Sequence, residues 1–228
     1  MIEERLLETA QRLAERLTPG DLDATLAQIT TAAVEVLPQV ELSSITVHRS
    51  DGTLATVAPT NDLLLEIDGA QYQLREGPCY EAATDQRSVV SSDLASDPRF
   101  PRYGAAAAER GVRSQIGVRL FDSPKSRGAL NLYSIDVGAF DDVESVSALF
   151  AHQAGQAIAY AQEIGNLAEA VRTRTTIGQA VGIVMERYKL NDQRAFAFLQ
   201  RMSSHRNTKL RVIAQEIVDA LTNGPPKP

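Results

Sequence analysis

Residues 115 to 134 read QIGVRLFDSPKSRGALNLYS, and the fold class turns on them. Gln115 to Leu120 and Ala129 to Ser134 are strand candidates, and Asp122 to Gly128 between them has the polar, Pro- and Gly-containing chemistry of a hairpin loop. Working backward, Ser44-Ile45-Thr46-Val47-His48 alternates, Ser50-Asp51-Gly52 turns, and Leu54 to Ala58 continues as a second hairpin would. Ser88-Val89-Val90 adds a strand, and a helix is expected around Tyr103 to Arg110. With helices expected at both ends, residues 20 to about 160 are read as α+β around a mostly antiparallel sheet.

The ends carry helical spacing. Leu6, Leu7, Ala10, Leu13, Ala14 and Leu17 recur at three- and four-residue steps, which predicts an amphipathic helix over residues 1–18. Thr18-Pro19 supplies an N-cap and a first-turn proline for a second helix running to Leu37. From Asp141 onward the pattern is helical throughout. Val143, Phe150, Ala157, Ile164 and Val171 fall seven apart, with Val146, Gln153, Tyr160 and Leu167 as a flanking row. That spacing predicts a coiled-coil seam and a parallel homodimer, because an exposed helix of this length needs its apolar stripe covered. Packing of its first half on the sheet is the other expectation from the same residues.

Charge divides the chain. Asn166 to Pro228 holds 10 Lys/Arg against 5 Asp/Glu, while residues 1–165 hold 13 against 24. A basic module following an acidic body points to an anionic partner for the module, nucleic acid first. No run of 18 apolar residues occurs, and the first residues lack a secretory pattern, so a cytoplasmic protein without membrane contact is expected. A single cysteine, Cys79, excludes an internal disulfide and a multi-cysteine zinc site. No paired carboxylates, phosphate loop, nucleophile triad or metal cluster stands out, so enzymatic function is not expected.

Four ordered motifs carry a resemblance. They are Glu76-Gly77-Pro78-Cys79-Tyr80-Glu81-Ala82, Asp93-Leu94-Ala95-Ser96-Asp97-Pro98-Arg99-Phe100-Pro101, Gly111-Val112-Arg113-Ser114 and Gly128 to Ser134. Together they resemble the GAF sensor domain of bacterial regulators, with the domain placed at residues 19–162. The resemblance implies a twisted antiparallel sheet flanked by helices, with a pocket for a small-molecule ligand of unknown identity. Cys79 is then a bilin attachment point, a redox thiol or simply a small residue beside a loop proline.

The region 163–224 is read as a coiled-coil extension plus a small three-helix module. Ile177 to Arg187, Ala195 to Ser203 and Asn207 to Ala214 resemble the ANTAR domain, an RNA-binding output module of bacterial transcription antiterminators. This chain has Val181 where many members carry lysine, which removes one cation from the first helix. Asn191 or Asp192 is the expected cap of the second helix, with Ala195, Phe198, Leu199 and Met202 on its inner face. Phe196 is also assigned to the core, and Tyr188 is left as a base-stacking candidate. Thr208 is the expected cap of the third helix, with Leu210, Ile213, Ile217 and Leu221 inward. Gly182 implies close approach of another helix or of a nucleic-acid backbone.

The candidate RNA-contacting set is Arg174, Gln179, Arg187, Arg201, Ser203, Arg206, Asn207, Lys209 and Arg211. Residues 201 to 211 are expected to share one small surface of guanidinium, amide and hydroxyl donors beside a helix N-terminus. Lys189 and Arg194 read as solubilising charges. The expected function is a signal-responsive regulator that binds hairpin RNA in leader transcripts and promotes antitermination, with an upstream signalling protein as a further partner. The competing readings are a helix-turn-helix DNA binder and a protein-interaction module without nucleic-acid binding. The Ser203-to-Thr208 connection reads as long for a helix-turn-helix.

Overall fold

Asp21 sets the first of the described helices: its Oδ1 accepts a hydrogen bond from the Ala24 amide at 2.8 Å, so α1 runs Leu22–Val36. The computed structural model describes residues 11–12, 16–17, 20–85, 88–123, 126–141 and 144–222. The expected cap at Thr18-Pro19 lies outside these, as does most of the helix expected over residues 1–18. The chain divides into two units, residues 1–162 and 163–228.

In the first unit five strands follow: β1 (Leu42–Arg49), β2 (Leu54–Val57), β3 (Ser88–Ser91), β4 (Ser114–Asp122) and β5 (Ser126–Ser134). They form one sheet in the order β2-β1-β5-β4-β3, every neighbouring pair antiparallel. Both expected hairpins are present. Helix α4 (Pro101–Glu109) matches the expectation around Tyr103. Two helices were not foreseen, α2 (Leu63–Leu74) and α3 (Pro78–Thr84). In α2 the inward positions are Leu64, Ile67, Asp68 and Gln71, so two of four are polar and the apolar spacing is broken.

Strand alternation decides what each face meets. Ile45, Ile116, Val118, Leu130 and Leu132 point to one side, against Leu26, Ile29 and Ala33 of α1. Phe150, Ala154 and Ile158 of the long helix α5 (Glu144–Tyr188) complete that cluster. The other side lies beneath α2, α3 and α4, where Leu64, Ile67, Ala82, Phe100 and Tyr103 pack with Ala129 and Tyr133. Gly117 permits this second layer, since a Cβ there would sit 2.5 Å from the Pro78 carbonyl oxygen.

Helix α5 changes role along its length. Phe150 is wholly buried against the sheet, whereas Ile164 is 39% and Val171 66% exposed. Val143, the first of the heptad series, lies outside the described residues.

The second unit adds α6 (Asp192–His205) and α7 (Leu210–Thr222) to the end of α5. Ala180 and Val184 of α5, Ala195 and Leu199 of α6, and Ile213 and Ala214 of α7 form its core. Asn191 caps α6 as expected, its Oδ1 accepting from the Arg194 amide at 2.9 Å. Three other assignments are corrected. Phe196 is 38% exposed, because it falls on the outer side of α6, and Leu221 at the last turn of α7 is exposed too. The Thr208 hydroxyl turns back to the Arg206 carbonyl at 3.0 Å, and the Lys209 carbonyl takes the first α7 amides instead.

Truncating Phe150 to alanine removes a ring from the centre of the first cluster. Its unfolding free energy is expected to fall by about 3–5 kcal/mol, read from the midpoint of a urea titration.

Candidate nucleic-acid interface and buried sensor core

Beneath α2 the sheet presents a polar surface that is closed to water. Ser44 and Thr46 from β1 and Asn131 from β5 are fully buried, as are Asp68 and Gln71 from α2. Asp68 is the hub. Its Oδ2 accepts from Ser44 at 2.8 Å and from Thr56 of β2 at 2.9 Å, and its Oδ1 accepts from the Tyr133 hydroxyl. Thr56 and Thr46 each lie 2.9 Å from the Tyr72 hydroxyl, and Thr46 lies 2.8 Å from the Cys79 sulfur. The Asn131 amide donates to Ser44 at 3.1 Å and to Thr46 at 2.8 Å, while its own Oδ1 is buried without a partner. Three strands and two helices thus converge on one carboxylate.

Among the described residues no cation pairs with that carboxylate, and burial is what dominates its titration. Burial pushes the Asp68 carboxyl up to about 6, against the downward pull of the Tyr133, Ser44 and Thr56 hydroxyls. Burial likewise raises the Cys79 thiol, with the Asp68 charge adding to it. Such a thiol is poorly nucleophilic. Cys79 is therefore a packed hydrogen-bonding group, and neither a redox nor an attachment role gains support from its surroundings. Cys79, Asp68 and Gln71 escaped the sequence reading as a set because their spacing matches no catalytic or metal-ligating pattern.

In the second unit the expected RNA-contacting residues fall into separate groups. Gln179 and Arg187 line a groove of about 700 Å³ with Gly182, Ile183, Val218 and Leu221. A Cβ at Gly182 would meet nothing within 4 Å, so helix packing does not account for that glycine. Arg211 lies in a second, more polar groove with Glu169, Arg172 and Thr176. Its Nη1 donates to Glu169 at 3.4 Å. Arg174 stands apart on α5, while Arg201 and Ser203 near the end of α6 and Arg206, Asn207 and Lys209 in the turn make up the last group. Arg206 makes a two-pronged pair with Glu216, at 2.5 and 3.0 Å, which raises its pKa and lowers that of Glu216. Ser203 donates its hydroxyl proton to the Thr208 carbonyl at 2.6 Å, and Asn207 adopts a left-handed φ of 47°. Positions 211 and 216 are roughly 140° apart around a helix, so Arg211 and the Arg206–Glu216 pair lie on different sides of α7.

Five other cations are unencumbered. Arg174, Arg187, Arg194, Arg201 and Lys209 are exposed, and among the described residues none has an ion-pair partner. Lys189 is paired with Glu186 at 2.5 Å. Tyr188 is 53% exposed, its ring 5.4 Å from that of Phe198, so it stands at the surface with one edge supported.

Comparison with known proteins follows this division. The GAF domain family matches residues 20–159, and the ANTAR domain family matches residues 165–218. No curated protein matches the chain. Among solved structures, free methionine-R-sulfoxide reductase from Neisseria meningitidis in complex with its substrate is similar at 18% identity and a TM-score of 0.54, covering 69% of this chain and 89% of that one. The GAF domain of a phosphoenolpyruvate-protein phosphotransferase from Acinetobacter is 18% identical at a TM-score of 0.51, over 71% and 97% of the two chains. Its counterpart from Coxiella burnetii is 15% identical at 0.53, over 72% and 98%. These likenesses show the fold alone.

The raised Asp68 pKa has a defined sign. A carboxyl raised on folding stabilises the fold fully below its unfolded value near 3.8, and that contribution is lost as pH climbs through about 6. The shift corresponds to about 3 kcal/mol. Asp68→Asn, which cannot ionise, is expected to gain about that much relative to the parent between pH 4 and pH 7.5, measured by denaturant titration at each pH.

Proposed function

Because the chain belongs to the GAF domain family and carries an ANTAR domain at residues 165–218, we propose that it is a signal-responsive regulator that binds hairpin RNA in leader transcripts and promotes antitermination. ANTAR domains are RNA-binding antiterminator modules and GAF domains are signal-sensing ones; both are regulatory, not catalytic. The observation that carries the reading is the set of unpaired, exposed cations on the three-helix unit. A merely solvated surface would intersperse acids with Arg174, Arg187, Arg194, Arg201 and Lys209, as it does for Lys189. Guanidinium groups free of intramolecular partners are available to phosphates without first breaking a bond.

Arg206 and Arg211 differ, since each already holds a glutamate. RNA phosphates would have to displace Glu216 and Glu169 from them. Both pairs are solvent-exposed and worth little individually, so the exchange is inexpensive.

Dimerisation through α5 is part of the proposal. Tyr160, Ile164, Leu167 and Val171 are exposed and recur at steps of four, three and four, the spacing of a two-stranded seam. Two linked modules would engage two hairpins, and the second binding event would gain from effective concentration. Among the described residues no helix is long and apolar enough to cross a membrane, and a cytoplasmic location is part of the proposal, since its partner is a nascent transcript.

One observation keeps a second reading in view. Helix α6 extends to His205, so only Arg206 to Lys209 separate it from α7. That connection has helix-turn-helix length, contrary to the longer one expected from sequence. The binding assay therefore compares hairpin RNA with duplex DNA at fixed salt.

Arg201→Ala combined with Arg211→Ala is expected to weaken hairpin binding about tenfold or more and to flatten its salt dependence by about one unit of slope per lost phosphate contact. Unchanged binding by the folded double variant, or tighter binding to duplex DNA, would sink the reading. Replacing Glu216 with glutamine releases Arg206 and is expected to tighten RNA binding by about two- to fivefold, seen as a shift in the filter-binding midpoint.

A further inference from the structure

The proton positions in the buried cluster are fixed by counting, since each hydroxyl or thiol carries a single proton. Thr56 donates its proton to Asp68. At the Thr56–Tyr72 contact the donor is therefore Tyr72. Tyr72 has then spent its proton, so at the Thr46–Tyr72 contact the donor is Thr46. By the same logic Cys79 donates to Thr46, whose second lone pair is filled by the Asn131 amide. One directed chain runs from the thiol through three hydroxyls to the carboxylate, touching α3, β1, α2 and β2.

Ionised Asp68 accepts at every contact, from the three hydroxyls and from the Gln71 amide at 3.5 Å, and donates at none. Once protonated it must donate, so one of its three hydroxyl neighbours has to turn round. Ser44 cannot do so cheaply, because its other neighbour in the cluster is the Asn131 amide, itself a donor. Among the described residues the Tyr133 hydroxyl has no partner besides Asp68. Only the Thr56 branch reverses completely. Asp68 then donates to Thr56, Thr56 to Tyr72, Tyr72 to Thr46 and Thr46 to the Cys79 sulfur. Each hydroxyl keeps one donated and at least one accepted bond. The one bond surrendered is that of the thiol proton, the weakest donor in the chain.

We propose that this cluster is a proton-operated switch: uptake of one proton at the Asp68 carboxylate reverses the hydrogen-bond chain and releases the Cys79 thiol at its far end. Protons balance, with one gained at Asp68 and every other proton passing only from one acceptor to another by rotation. The titratable groups facing Asp68 are Tyr133 from β5, Tyr72 on α2 itself, Cys79 from α3 and Tyr103 from α4. All three tyrosines stay protonated under the same burial, since burial raises each of them. Strands β1 and β2 present Ser44, Thr46 and Thr56 to the cluster, and His48, next on that face of β1, lines a separate groove with Arg49, Gly52 and Arg127. Of the charged pairs beside α2, Glu66 with Arg110 is exposed, and in Glu76 with Arg102 the arginine is exposed and the carboxylate half-buried. Asp68 is thus the group in the cluster that changes charge near neutrality.

The chain contains a single cysteine, so its S–H stretching band in the infrared reports on Cys79 alone. In the full-length protein that band is expected to move from a hydrogen-bonded to a free position as pH falls, with a midpoint near 6. The Asp68→Asn variant should hold the band fixed across the same range. Thr46→Val cuts the chain between Tyr72 and the thiol. Its band should sit at the free position at every pH, while the protonated carboxyl band of Asp68 still appears on acidification. A parent band that does not move, or a shift that survives in either folded variant, overturns the proposal. None of these readouts involves RNA, so the result stands apart from the fate of the RNA-binding reading.

Discussion

A sheet buried on both faces cannot send its polar side chains to water, and in this domain they were not replaced by apolar ones. Beneath α2 the strands contribute Ser44, Thr46, Thr56 and Asn131, and the helix contributes Asp68 and Gln71. Burial of these groups is tolerable only because they bond to one another. Remove one partner and its neighbour loses both water and its bond, a penalty of about 1–3 kcal/mol. The position of α2 on the sheet, the turn through Gly77 with its φ of 122°, and the seating of α3 on Gly117 all follow from keeping that set together. Gln71 joins the two helices, its side-chain oxygen accepting from the Cys79 amide at 3.0 Å.

The same constraint explains what could be read in advance. Ile45, Ile116, Leu130 and Leu132 announce strands and the face that meets α1 and α5. Their polar alternates imitate residues turned toward solvent, because alternation reports polarity and not exposure. The covering helix was hidden for the matching reason, as Asp68 and Gln71 interrupt its apolar spacing. The long helix and the three-helix unit were legible, since their cores rest on small and aliphatic residues at regular steps, such as Ala180, Val184, Leu199 and Ile213. Among the candidate RNA contacts, residue type was readable and pairing was not. Which arginine meets a glutamate depends on packing between elements distant in sequence, as Arg211 with Glu169 shows.

Electrostatics therefore grades the cations of the second unit. Arg201 and Lys209 stand ready, while Arg206 and Arg211 must exchange a carboxylate for a phosphate. An internal carboxylate of this kind occupies the guanidinium in the geometry a phosphate would take. It also lowers the net charge that the module shows to arbitrary polyanions, which favours ligands able to fill several sites together.

The solitary thiol has one more implication. With no second cysteine in the chain and the first wholly enclosed, intramolecular mispairing cannot start, and cross-linking between copies needs the layer above it to lift first. The pace at which a small alkylating reagent consumes that sulfur would thus clock the breathing of the sensor's interior.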